Sequence, residues 1–160
     1  MKIKKSLFFL LFILYLGSCS GPYFLEFTEF SSGWENTETA EFNFKGGLSP
    51  KNMSLILRHN NDYDYANIFL ILELNSTLSL VQTDTLEFLL SNPNGQWLGD
   101  KKLTLIEHKL PYQQSIILAK DSLYTLRVRT SMRLNGQVKP IVNLEGIIGL
   151  GLLIEEENKE

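Results

Sequence analysis

From Leu123 to Arg133 the chain alternates in character at nearly every step. Tyr124, Leu126, Val128, Thr130 and Met132 fall on one side of an extended backbone, and Arg127, Arg129, Ser131 and Arg133 on the other. Successive side chains of a strand point to opposite faces, so this pattern predicts a strand with one face in a core and one in water. Nothing between residues 40 and 155 carries a long apolar stripe at helical spacing. Instead, short apolar runs stop at Gly46-Gly47, Asn60-Asn61-Asp62, Ser91-Asn92-Pro93-Asn94-Gly95, Lys120-Asp121 and Asn135-Gly136, residues whose backbones favour turns. Strands are predicted at Tyr23–Phe30, Ala40–Lys45, Met53–Arg58, Asn67–Leu74, Leu80–Leu90, Lys102–Glu107, Gln114–Ala119, Leu123–Arg133 and Asn143–Glu157. Recurrence every ~8–12 residues points to an all-β fold, an antiparallel β-sandwich of jelly-roll or immunoglobulin-like type. In the last run, Leu144, Gly146, Ile148, Leu150, Leu152 and Ile154 share one face. Gly149 and Gly151 occupy the other, where a neighbouring group can approach closely. Residues 25–157 are expected to form a single sandwich domain, with 158–160 as a solvated tail.

The first residues have a different logic. Lys2, Lys4 and Lys5 precede an apolar run from Ser6 to Leu16, the n-region and h-region of a secretory signal peptide. A membrane-crossing helix needs roughly 20 apolar residues, so this run is too short to span. It ends in Leu16-Gly17-Ser18-Cys19, a lipobox resembling the processing site of bacterial lipoproteins. Residues 1–18 are therefore expected to be removed, Cys19 to carry a thioether-linked diacylglycerol, and residues 19–24 to form a short tether. Cys19 is the sole cysteine, so the mature chain can form no internal disulfide. Stable anchoring takes more than one acyl chain, and a diacylglycerol with an added amide-linked acyl group supplies it. Loss of Lys2, Lys4 and Lys5 with the leader takes the net charge from −3 to −6. So acidic a chain, with scattered basic residues, is unsuited to nucleic acid.

Few residues stand in patterns that carry chemistry. His59 and His108 are the two histidines, each expected at a strand end on the surface. Neither lies in a Gly-x-Ser-x-Gly, His-Glu-x-x-His or Walker-type motif, so no catalytic residue, metal site, cofactor or small-molecule substrate is expected. Asn60–Asn67 offers hard oxygen ligands suited to calcium, yet it lacks the glycine and distal glutamate of an EF-hand, and it reads better as an inter-strand loop with Asx-turns. Gly146-Ile147-Ile148-Gly149-Leu150-Gly151 is glycine-rich but sits inside a strand pattern, which favours packing over phosphate binding. Asp84-Thr85-Leu86 and Asp121-Ser122-Leu123 resemble O-glycosylation acceptors of some exported bacterial proteins, making Thr85 and Ser122 candidate acceptors.

An ordered series of blocks carries a wider resemblance. The lipobox is followed by the aromatic run Tyr23–Phe30, Gly33-Trp34, Phe42-Asn43-Phe44, Leu57-Arg58 and Asp62-Tyr63-Asp64-Tyr65-Ala66-Asn67-Ile68-Phe69. Then come Thr83-Asp84-Thr85-Leu86-Glu87, Gly95-Gln96-Trp97-Leu98-Gly99, Tyr124-Thr125-Leu126, Met132-Arg133 and the glycine-rich last strand. Together these resemble the GldH family of gliding-motility lipoproteins of Bacteroidetes-type bacteria. Asp64 departs from the proline expected between the tyrosines, and Thr130-Ser131 from a glutamine-containing pair. The resemblance implies a non-enzymatic role in surface gliding, in partnership with other gliding-motility or type IX secretion envelope proteins. It also implies a lipid anchor in the cell envelope; with no acidic cluster after Cys19 to mark surface export, the periplasmic face is expected. Tyr63, Tyr65, Asn67 and Trp97 are then the candidate partner-binding residues, aromatics being frequent interface anchors. The alternative is a lipidated carbohydrate-binding module, which would require Trp34, Trp97 and Tyr63 to be exposed and coplanar.

Overall fold

The computed structural model describes residues 21–77 and 80–157; the leader, Cys19 and residues 158–160 lie outside that range. Eleven strands are present among the described residues. Eight are long: β1 (Phe24–Glu29), β3 (Ala40–Lys45), β4 (Lys51–His59), β5 (Asn67–Ser76), β6 (Leu80–Leu89), β8 (Ile106–Ile116), β9 (Leu123–Thr130) and β11 (Ile147–Glu156). Three have two residues each: β2 (Trp34–Glu35), β7 (Asp100–Lys101) and β10 (Asn143–Leu144). One sheet has the order β1-β11-β4-β8-β7 and another the order β3-β9-β5-β6, while β10 pairs with β2 apart from both.

The long strands pair as β1–β11, β3–β9, β4–β8 and β5–β6, all antiparallel. Those are the rungs of one long hairpin closed at the β5–β6 turn. Rolling it so that successive rungs alternate between two sheets gives the orders observed, which is a jelly roll. Of the two sandwich types left open by the sequence, the pairing selects this one.

Facing rows of alternate residues fill the core. Phe42 and Phe44 on β3, Met53, Leu55 and Leu57 on β4, Ile68, Leu70, Leu72 and Leu74 on β5, and Leu126 and Val128 on β9 are all buried. Fully burying one such side chain contributes roughly 1.5–3 kcal/mol, so each row is a strong determinant of register. The alternation read for Leu123–Arg133 holds through Thr130, and Met132 is also buried. On the outer face Arg127 reaches Glu41 (2.8 Å) and Arg129 reaches Glu73 (3.5 Å).

Two expectations are corrected. The separate strands predicted at Lys102–Glu107 and Gln114–Ala119 are one strand, β8, running through Pro111. Beyond Ile106 and Glu107, the only residues paired with β7, β8 is an edge strand, where a proline's missing N–H leaves no ladder bond unmade. The run Asn143–Glu157 is broken at Glu145-Gly146, and a register shift between Ile147 and Gly149 buries Ile147 fully while Ile148 is only half-buried. Beyond that bulge the expected face is kept: Leu150, Leu152 and Ile154 are buried. The close approach at Gly151 is the Phe27 ring, over which the Arg58 guanidinium lies at 3.8 Å.

Strand directions give the sandwich two unlike ends. At one, the chain enters at Tyr23 and the β3–β4, β5–β6 and β8–β9 connections are short. At the other, 30–39, 60–66, 90–105 and 131–146 are long connections carrying β2, β7 and β10. These are called the tether end and the far end below.

Candidate functional site

The inward row Met53, Leu55, Leu57 on β4 continues to His59, and the row Ile106, His108, Leu110 lies on the adjacent strand β8. Leu57 is directly opposite His108, so the two histidines meet diagonally at the far end of the core. Both are buried, at 0% and 3% exposure, which corrects the expectation that they sit on the surface. The reason is the alternation itself: a residue two positions beyond Leu57 on an unbroken strand faces inward.

Their rings stack at 5.1 Å with Nε2 to Nε2 at 2.9 Å. His59 Nδ1 is 2.7 Å from the carbonyl oxygen of Asn60, an acceptor only, so Nδ1 must carry the proton. His59 Nε2 is then a lone pair that accepts from His108 Nε2–H. This assignment satisfies the pair with both rings neutral. Burial lowers the pKa of His59, partly offset by the Asn60 carbonyl. Burial, then the His59 neighbour, brings His108 down to about 4 against a small opposing pull from Asp100.

Aromatic side chains cover this pair. Trp97 stands edge-on to His59 at 4.4 Å, and Tyr63 tilts against it at 5.4 Å. Tyr65 meets Tyr63 edge-on at 5.5 Å. The Tyr63 hydroxyl donates to the Asn67 carbonyl at 2.8 Å, and burial raises its pKa. The loop beneath is an Asx-turn: Asp62 N–H donates to Asn60 Oδ1 at 2.9 Å. Gly146, at φ 82°, packs directly under it; a Cβ there would lie 2.3 Å from Tyr63 N.

Of the predicted contact residues, Tyr65, Asn67 and Trp97 are half-buried and present part of their surface. Asn67 Nδ2 donates to Glu87 Oε1 at 2.5 Å on the neighbouring strand. Tyr63 is 2% exposed, so it supports that surface from below and does not form it. Beside Trp97 the chain leaves Leu98 and Leu89 exposed, at 53% and 65%. Between them opens a cleft of about 260 Å³ lined also by Asp100, Glu107 and His108. It brings a histidine near carboxylates, but no serine, threonine or cysteine lines it, and Glu107 is engaged by Arg58 at 2.8 Å.

Trp34 is fully buried, stacked on Phe30 at 4.8 Å with its Nε1–H donating to Glu38 O at 3.2 Å. With Trp34 and Tyr63 buried and Trp97 packed edge-on, the coplanar platform required of a carbohydrate-binding module is not assembled. Thr85 is exposed on edge strand β6, and Ser122 is half-buried in the turn before β9. Cys19 lies outside the described residues.

What sequence reasoning missed is the histidine pair, and the signal was present. His59 continues the Met53-Leu55-Leu57 alternation, and His108 lies two positions before Leu110.

A family model described as GldH lipoprotein matches residues 23–154. The chain is 33% identical to a gliding motility lipoprotein GldH homolog of Christiangramia forsetii over 161 residues, covering 99% of each chain. It is 30% identical to the gliding motility lipoprotein GldH of Flavobacterium johnsoniae, covering 99% of this chain and 100% of that one. Among solved structures, a family GH115 4-O-methyl-alpha-glucuronidase aligns with 88% of this chain and 18% of its own, at TM-score 0.42 and 8% identity, which is too loose to bear on function.

Proposed function

The chain belongs to the GldH lipoprotein family, and from that premise we propose that it is a non-enzymatic docking component of the gliding machinery. Membership makes it a lipoprotein of the cell envelope involved in gliding motility. The finer reading is that lipid on Cys19 holds it at the periplasmic face of a membrane, where it binds other gliding-motility or type IX secretion envelope proteins. One observation carries the docking role: Tyr65 and Trp97 are part-exposed aromatics braced from beneath by the buried His59–Tyr63–His108 cluster. Rigid aromatics lose little entropy on binding, and such residues anchor interfaces.

The test is a pull-down from crosslinked membranes with Trp97→Ala and Tyr65→Ala, read beside colony spreading and adhesin secretion. Loss of co-purifying motility proteins and of spreading, with the variants still folded and membrane-bound, is expected. Normal spreading by the double variant would sink the docking site. For modification, Thr85 is the more accessible of the two glycosylation patterns, and the intact mass of Thr85→Ala against the parent would reveal it.

A further inference from the structure

The exit point of the chain assigns a surface at the tether end. Cys19 stands four residues before Tyr23, a span of at most about 14 Å when extended. The Tyr23 hydroxyl donates to the carbonyls of Lys45 (3.1 Å) and Gly46 (3.2 Å), which fixes the exit to the rim of that end. A ten-residue strand such as β11 is about 33 Å long, so the far end cannot face the bilayer that holds Cys19. Lying on the outer face of the larger sheet is unfavourable too. That face carries the Lys109–Glu155 and Arg58–Glu107 ion pairs, and the outer face of the smaller sheet the Arg127–Glu41 and Arg129–Glu73 pairs, all of which would be costly to take out of water.

What remains is the tether end itself. Leu48 in the β3–β4 connection is 78% exposed, Ile117 at the head of the β8–β9 connection 71%, and Leu123 51%. Single exposed apolar residues are ordinary. Their connections meet on one rim: Gly46 N–H donates to Ser122 O at 2.9 Å, joining the β3–β4 and β8–β9 connections, and Thr77 N–H to Leu123 O at 3.1 Å, joining the end of β5 to the start of β9. Lys45 and Lys120 are exposed on the same rim, but Asp121 adjoins Lys120 and the exposed Glu156 and Glu157 close β11 there, so the apolar tips rather than net charge carry the contact.

We propose that this rim, led by Leu48 and Ile117, sits in the headgroup and acyl boundary of the membrane, so that lipid and loop tips form a multi-point attachment. The sandwich then stands upright, with Trp97 and Tyr65 held about 33 Å away from the bilayer. The proposal rests on the lipidation of Cys19.

The acylated thiol of Cys19 leaves an introduced cysteine as the only reactive one, which makes the test direct. Full-length lipidated Leu48→Cys, Ile117→Cys and Val138→Cys proteins would carry an environment-sensitive nitrobenzoxadiazole probe. Val138, at 86% exposure on the far end, is the reference. Each would be placed in phosphatidylethanolamine–phosphatidylglycerol vesicles containing spin-labelled lipid. The expected result is blue-shifted emission with several-fold greater quenching at 48 and 117 than at 138. Proteins that float with the vesicles but show no quenching at 48 and 117, or equal quenching at 138, overturn the docking and leave the anchor standing. A protein that does not float overturns the anchor, and the docking with it.

Discussion

The two ends of the sandwich handle buried polar groups in opposite ways. At the tether end Lys51 is buried, and its ammonium donates to Glu156 at 2.7 Å and Ser49 Oγ at 2.6 Å, with the Tyr23 ring 4.3 Å away. Its partner carboxylate stays half in water, at 54% exposure. At the far end His59 and His108 face each other inside the core with neither in water. A charge can be buried where its partner keeps contact with solvent, whereas a fully enclosed pair is cheapest when neutral. The short connections of the tether end leave room only for the first arrangement. The long connections of the far end supply the aromatic cover that the second requires.

If the far end depends on that cover, the largest effect should come from the residue that seats the loop beneath it. Gly146→Ala adds both a left-handed strain and a Cβ 2.3 Å from Tyr63 N, which the Asx-turn cannot yield without breaking. A loss of about 4 kcal/mol is expected from denaturant unfolding. Gly95→Ala is the matched control: φ is 80° but nothing lies within 4 Å of the new methyl, so about 1 kcal/mol is expected from backbone strain alone. Equal losses in the two variants would show that the loop's fit under the cluster contributes nothing.

The contrast between ends was only partly legible in the sequence. Strand β9 could be read residue by residue, because Arg127 and Arg129 stay in water opposite Glu41 and Glu73 while their neighbours are buried. The paired glycines of β11 announced close neighbours, and these are on β1: the Phe27 ring at Gly151 and the Thr28 carbonyl at Gly149. His59 followed the same rule, yet a buried imidazole makes sense only beside a partner, and its partner is 49 residues away on β8. That proximity depends on β4 pairing with β8, a rung of the long hairpin that no local pattern encodes. The two strands predicted on either side of Pro111 are one for the same reason, since a proline is tolerated in an edge strand but not a central one, and edge position is a property of the whole sheet. Trp97 and Tyr65 could be named from the sequence as contact candidates, but their support from Tyr63 and the histidines could not.

Acid should separate the ends next. The His108 pKa falls from an ordinary 6.5 unfolded to about 4 folded, so between those values the unfolded chain binds the extra proton. Stability from the neutral pair is therefore complete above about pH 6.5 and lost as pH falls towards 4, by roughly 3 kcal/mol. Glu156 is held below the ordinary carboxylate value by hydrogen bonds from Lys51 and Ser49, so its contribution is kept to lower pH and lost only as the carboxylate protonates. Hydrogen exchange at pH 7 and pH 5 should show the far-end amides of Asn60 and Ile147 losing protection before those of Lys51 and Glu156. His108→Gln should flatten the pH dependence in this window. A wild-type stability unchanged from pH 7 to pH 5 would mean that the imidazoles are not held neutral.

The smallest effect should be at Lys51, the most buried charge in the tether end. Removing one member of a buried pair is severe when the other is left charged in the core, costing about 3–5 kcal/mol. Glu156 is not so trapped: at 54% exposure it returns to water once its partner is gone. The stem of Lys51, by contrast, has no access to solvent, so a side chain that keeps its volume preserves most of what the residue contributes. Methionine does so, with comparable length and flexibility. Lys51→Met should therefore shift the unfolding midpoint by less than about 1 kcal/mol, while Lys51→Ala, which empties the stem's place, should cost about 2 kcal/mol. If the order is reversed, the ammonium and not its packing closes the tether end. The tether end would then depend, like the far end, on its buried polar pair.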